Sequence, residues 1–206
     1  MTTSREETSR LWYCGFHMSE WALTNGGRSN YYWDLDSILT TPAEIEEVTS
    51  CYLGEIDQIR TTLGPIDRLG FIEKDSGPVG ALTLKDLLIV RSNIPGVIIR
   101  QQRRILTAAI KGKEPLHPGE RIVLISDVST SGSGILKTAK IVWAFRAKVI
   151  AAIVFFDREQ GAVENLNRVD IVLRSITRRT KELPDVQNFE KIPLNISTSS
   201  ISYSRT

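Results

Sequence analysis

The sequence predicts an α/β fold, with a central parallel sheet flanked by helices and a small N-terminal hood in front of it. Two observations carry this. From residue 68 onward, short apolar runs of strand length (68–72, 96–100, 121–125, 149–156) alternate with helix-length stretches (79–90, 134–145), the pattern of βα units with helices on both faces of a sheet. The best-defined strand, Arg121-Ile-Val-Leu-Ile125, runs straight into a Ser/Gly-rich turn and then a helix, the junction at which such sheets place phosphate sites.

Taken in order, residues 9–32 mix aromatic and polar side chains, with a turn signal at Asn25-Gly-Gly27 and a short aromatic strand at Tyr31-Tyr-Trp-Asp-Leu35. Thr41-Pro-Ala-Glu44 supplies an N-cap, a proline in the first helical turn and an early acid, which opens a helix expected to reach Leu63 before Pro65 stops it. A turn is expected at Asp75-Ser-Gly-Pro78. The end of the chain, Ser197-Thr-Ser-Ser-Ile-Ser-Tyr-Ser204, is of low complexity and predicts a flexible tail. The expected division is a hood over 1–40, a core over 41–183 and a tail over 184–206, with no internal repeat.

At 206 residues the chain can bury one genuine core. Lys and Arg number 26 against 24 acidic residues, so the one-sided basic charge of nucleic-acid binding is absent. Cys14 and Cys51 are too few for a disulfide framework and lack zinc-site spacing. Residues 1–10 are polar, unlike a signal peptide, and no run approaches the roughly 20 apolar residues of a membrane span. A soluble cytoplasmic protein without nucleic-acid or membrane partners is expected.

The chemistry concentrates in Ser126-Asp-Val-Ser-Thr-Ser-Gly-Ser-Gly134. Small hydroxyl residues and glycines at a helix start let backbone N–H groups approach an anion, and the helix N-terminus adds positive potential. Asp127 is suited to accept hydrogen bonds from adjacent sugar hydroxyls. The same residues could serve only as an N-cap and flexible turn. No Gly-Lys-Ser/Thr follows, so this is not a Walker loop. The next strand ends in Phe155-Phe-Asp-Arg-Glu-Gln-Gly-Ala162.

Together the two segments resemble the type I phosphoribosyltransferases, and most closely the orotate phosphoribosyltransferases. In that family an acidic pair and a Thr-rich, Gly-containing loop hold phosphoribosyl pyrophosphate (PRPP), and an Asp-Arg-x-Glu-x-Gly segment ends the next strand. The resemblance extends to the hood, Trp21-Ala-Leu-Thr-Asn-Gly-Gly-Arg-Ser-Asn-Tyr-Tyr32 with Asp34, to a pyrophosphate loop near residues 67–80, and to Ile94-Pro-Gly-Val-Ile-Ile-Arg100 leading into a catalytic loop. It implies a Rossmann-like type I phosphoribosyltransferase core. It further implies transfer of phosphoribosyl from PRPP to orotate, with Mg²⁺ bound through PRPP and no protein residue named as its ligand. A homodimer is also implied.

By the same resemblance, Thr130, Ser131, Gly132 and Ser133 would hold the 5-phosphate and Asp127 the ribose hydroxyls, with Ser126, Val128, Ser129 and Gly134 completing the PRPP loop. Arg100, Gln101 and Arg104 would contribute from the catalytic loop, and Arg104 and Asp127 would be the catalytic pair. Thr130 and Arg158 would meet the orotate carboxylate, where a guanidinium offers a planar fork; the other reading of Arg158 is an ion pair with Asp157 or Glu159. Tyr31 and Tyr32 would pack on the base, or else belong to the core.

Three departures from the family pattern stand out. One member of the acidic pair is Ser126. The run Arg100-Gln-Gln-Arg-Arg-Ile-Leu-Thr-Ala-Ala-Ile-Lys-Gly112 has Gln101 and Arg104 in place of the family's two lysines and no histidine or internal glycine; the other reading of Arg103 and Arg104 is a solvated basic face. Glu73-Lys-Asp75 puts acid where a pyrophosphate would sit. Ser126 and the altered loop keep open a PRPP- or nucleotide-binding regulatory protein on the same fold, and the hood, the least specific of the matched segments, keeps open transfer to another base.

Overall fold

The computed structural model describes residues 5–22, 28–73, 79–100, 110–111 and 115–182. The expected turns at 25–27 and 75–78, the loop residues Gln101, Arg103 and Arg104, and the tail lie outside them.

The chain begins with α1 (Arg5–Cys14) and an antiparallel pair, β1 (Phe16–Ala22) and β2 (Arg28–Trp33). Next come α2 (Pro42–Leu63), β3 (Arg68–Glu73), α3 (Val79–Ser92), β4 (Gly96–Arg100) and β5 (Ile110–Lys111). The rest is β6 (Arg121–Ser129), α4 (Ser133–Ala144), β7 (Lys148–Asp157), α5 (Ala162–Asn167), β8 (Val172–Arg178) and α6 (Arg179–Glu182). The main sheet has the order β5-β4-β3-β6-β7-β8, parallel throughout except for β5, which runs back along β4. This is the predicted α/β architecture.

α2 forms where its capping residues place it. Thr41 Oγ1 accepts from the Glu44 backbone N–H at 3.3 Å and donates to the Glu44 carboxylate at 3.0 Å, and Pro42 occupies the first turn. At the other end Arg121 donates to the carbonyls of Leu63 and Pro65 at 2.5 and 2.8 Å. The first residue of β6 thus satisfies carbonyls left over at the helix end.

Two apolar clusters form on the two faces of the sheet, as alternation along a strand requires. One joins Val123, Ile125, Ile153 and Phe155 to Val48, Tyr52 and Ile56 of α2 and Leu84 and Leu88 of α3. The other joins Ile122, Leu124, Ala152 and Val154 to Ile135, Ala139 and Val142 of α4 and Leu166 of α5. The hood shares the first cluster through Leu11, Trp12, Tyr31 and Trp33. Phe155 and Phe156 are successive residues, yet both belong to it, because Trp33 meets both rings (centroids 5.2 and 5.7 Å) and Trp12 meets Phe156 edge-on at 5.4 Å. Each such fully buried ring contributes about 1.5–3 kcal/mol by leaving water, so the hood is fastened over the carboxyl end of β7. Among the described residues no helix is long and apolar enough to cross a membrane.

Candidate functional site

β3 and β4 lie on one side of the sheet, and the chain then passes back over β3 to lay β6, β7 and β8 on the other. The order therefore reverses between β3 and β6. Crevices outside the carboxyl ends of strands at such a reversal are where α/β sheets bind ligands. The candidate residues gather at the ends of β6 and β7.

β6 is longer than its apolar run. Ser126 to Ser129 continue the parallel ladder, Ser126 opposite Val154, Val128 opposite Phe156 and Ser129 opposite Asp157. The turn proper is therefore only Thr130, Ser131 and Gly132, not the whole run from Ser126. The hydroxyl residues read as loop because the partner strand, which supplies their backbone hydrogen bonds, is invisible in the local sequence. The Ser129 side chain is 2% exposed, and its Oγ has no hydrogen-bond partner.

Gly132 is the N-cap of α4 with φ +75°, and no side chain caps that helix. The hydroxyls of Thr130, Ser131 and Ser133 thus do not act as the cap that was the plainer reading of this stretch. Ser133 and Gly134 are exposed in the first turn. Asn165 of α5 donates from Nδ2 to the Ser131 carbonyl at 3.0 Å, holding the turn from below. The result is a helix N-terminus whose turn is fixed and whose first residues face outward, a ready anion site.

Asp127 is held by its own neighbours. Its Oδ1 accepts from the Val128 N–H at 2.7 Å and from Ser126 Oγ at 3.2 Å. Tyr52, wholly buried in α2, donates to the Ser126 carbonyl at 2.8 Å. Burial pushes the Tyr52 phenol well above its usual range, and the charge of Asp127 adds to the shift, so it stays a neutral donor. Ser126, which departs from the acidic pair, here orients the one carboxylate that remains.

At the adjacent strand end the Arg158 N–H donates to the Ser129 carbonyl at 2.9 Å, which sets Arg158 beside Thr130. Asp157 is 1% exposed, and its Oδ1 accepts from the Glu159 N–H at 3.0 Å. Desolvation raises its carboxyl above the ordinary value. Glu159, at φ +53°, turns its carboxylate to α6, accepting from the Thr180 N–H and Oγ1 at 2.7 and 3.0 Å. The guanidinium of Arg158 lies over the Tyr31 ring, 4.2 Å from its centroid.

Tyr31 and Tyr32 part company. Tyr31 is 0% exposed and stacks with Phe16, centroids 5.5 Å apart, whereas Tyr32 is 41% exposed. Arg100 stands at the end of β4, opposite Glu73 in register and two strands from β6. Gln101 and Arg104 lie outside the described residues. Sequence reasoning missed Tyr52 and Asn165. A buried tyrosine needs a partner for its hydroxyl, which flags Tyr52 once α2 is known to be buried on that side, whereas nothing local points from Asn165 to Ser131.

No family profile matches the chain. It is 29% identical over 147 residues to the orotate phosphoribosyltransferase of Pyrococcus abyssi, covering 71% of this chain and 76% of that protein. Among solved structures it superposes on orotate phosphoribosyltransferase from Aeropyrum pernix with a TM-score of 0.66 and 24% identity, covering 82% and 91% of the two chains. It also superposes on the UMP synthase of Leishmania donovani with a TM-score of 0.70 and 22% identity, covering 88% of this chain but only 38% of that longer one. The chain has the type I phosphoribosyltransferase fold and is similar to orotate phosphoribosyltransferases. The resemblance read from Ser126–Gly134 and Asp157–Gly161 is thereby borne out. Within this phosphoribosyltransferase fold the two segments are neighbours at one end of the sheet.

Proposed function

We propose that the chain transfers phosphoribosyl from PRPP to orotate, yielding orotidine 5′-monophosphate and pyrophosphate, a step of pyrimidine nucleotide synthesis. The observation that carries this reading is the meeting of Asp127, the uncapped start of α4 and Arg158 at the adjoining ends of β6 and β7. The names of the relatives support it.

In the reaction the C1–N bond to the orotate ring forms as the C1–O bond to pyrophosphate breaks; the electron pair of that bond leaves with pyrophosphate, and the proton of the orotate ring N–H is released to solvent. The turn from Thr130 to Ser133 would bind the 5-phosphate through backbone N–H groups and hydroxyls. Asp127 would accept from the ribose hydroxyls, and its charge would favour the oxocarbenium-like ribose. Arg158, with Thr130, would fix the orotate carboxylate through a planar fork. Arg100, Gln101 and Arg104 would face the departing pyrophosphate.

Among the described residues no three His, Cys, Asp or Glu side chains group as a metal cage. Mg²⁺ would be held mainly by PRPP oxygens, as is usual for this ion, with Asp127 the carboxylate within the site. When bound, Mg²⁺ would supply positive charge to the pyrophosphate. A homodimer belongs to the same proposal.

Purified protein incubated with PRPP, orotate and Mg²⁺ should consume orotate, seen as loss of its absorbance. No turnover at high enzyme concentration rejects the reading. A second reading, a PRPP or nucleotide sensor on this fold, is favoured by Ser126 in place of an acid. Saturable PRPP binding in a calorimeter without turnover would select it.

A further inference from the structure

We infer that Tyr31 is a positioning residue that sets selectivity for a carboxylated base by holding Arg158, and that it does not touch the base itself. The inference rests on the orotate reading above and names what makes that site selective. Arg158 is 7% exposed and sits at the end of β7. A guanidinium on a long stem loses rotamer freedom when it must present a fork in one direction, and that ordering weakens every contact it makes. Here part of the ordering is done before any ligand arrives. The Tyr31 ring lies under the guanidinium carbon at 4.2 Å, well inside the range of a cation–π contact and in a desolvated setting where such contacts are strongest.

The ring itself cannot drift. It is fully buried, stacks with Phe16, and stands in β2 opposite Met18 of β1. Phe16 in turn stacks with Trp12, centroids 4.8 Å apart, and Trp12 packs on Phe156. The chain of rings therefore returns to β7, two residues before Arg158. Hood and strand end form one closed circuit, and Arg158 is its cationic member. Burial also keeps the Tyr31 phenol neutral, so it does not become a counter-ion that would compete with a substrate carboxylate. Tyr32, the next residue of β2, is 41% exposed and takes no part in this circuit of rings.

The test is a double-mutant cycle on orotate KM, with PRPP KM measured alongside. Tyr31→Leu should raise orotate KM about tenfold and raise PRPP KM far less. In an Arg158→Ala background the same substitution should raise orotate KM less than about twofold, because a residue that acts only through Arg158 has nothing left to act on. Equal effects in both backgrounds would mean direct contact with the base and would overturn the inference, as would equal rises in both KM values. Should Tyr31→Leu fail to fold, Tyr31→Phe decides. It keeps the ring face and should retain most of the affinity for orotate, and a loss matching that of Arg158→Ala would overturn the ring-face account. Absence of turnover in the unmodified chain would instead remove the orotate reading, and the inference with it.

Discussion

Asp127 accepts two hydrogen bonds through one oxygen, Oδ1, from Val128 and Ser126. The isosteric amide of Asn can accept both as well. Asp127→Asn should therefore keep the local fold while removing the charge. A drop of about 10²-fold or more in kcat/KM is expected, the scale of losing one preorganised electrostatic group, with little change in melting temperature. Steady-state kinetics beside a thermal melt checks both halves.

Asp157 calls for the opposite experiment. Desolvation raises its carboxyl above the ordinary 3.8. A carboxyl that binds its proton more tightly in the folded chain than in the unfolded one makes stability fall as pH rises from the unfolded value through the folded one. The ionised form thus costs stability at neutral pH. Asp157→Asn, whose amide oxygen can still accept from the Glu159 N–H, should gain stability relative to the wild type as pH is raised from about 3.5 to 7. Urea denaturation at a series of pH values would show it, and a constant difference across the series would contradict it.

At the level of elements, the unit that matters is β6, its turn and α4. Gly132 has φ +75°, and a Cβ there would stand 3.2 Å from Leu166 Cγ and 3.4 Å from Ala162 Cα. Gly132→Ala should cost about 1–2 kcal/mol from the backbone conformation alone and should weaken PRPP binding as the turn shifts. Denaturant titration and a PRPP titration measure the two effects. This unit also shows which signals were legible. α2 could be placed by its Thr41-Pro-Ala-Glu44 start, because a capping box is a local device. The last four residues of β6 could not, since Ser and Asp favour turns and only pairing with Val154–Asp157 of β7 keeps them extended. β8, Val-Leu-Arg-Ser-Ile-Thr-Arg178, lies at the sheet edge with only Leu173 and Thr177 buried and Arg174 and Ser175 in its middle, so it never formed the apolar run that marked the inner strands. α5, six residues long, is too short for a helical period to appear.

Across the whole molecule, the site is assembled from parts that only the sheet order brings together. Asp127, the turn from Thr130 to Gly132 and Arg158 were legible because they lie in two short segments whose residue types carry the chemistry. Tyr52, 74 residues from Ser126, and the closed ring of aromatics under Arg158 were not, because contacts between distant elements leave no spacing to read. The hood shares its core with α2 and β7, so hood and strand end should unfold together. The central claim is that one ligand spans the ends of β6 and β7. A crystal structure with orotidine 5′-monophosphate tests it most directly. The phosphate should lie on the turn from Thr130 to Ser133, the ribose hydroxyls on Asp127 and the base carboxylate on Arg158. A phosphate bound elsewhere, or a base turned away from Arg158, would contradict it.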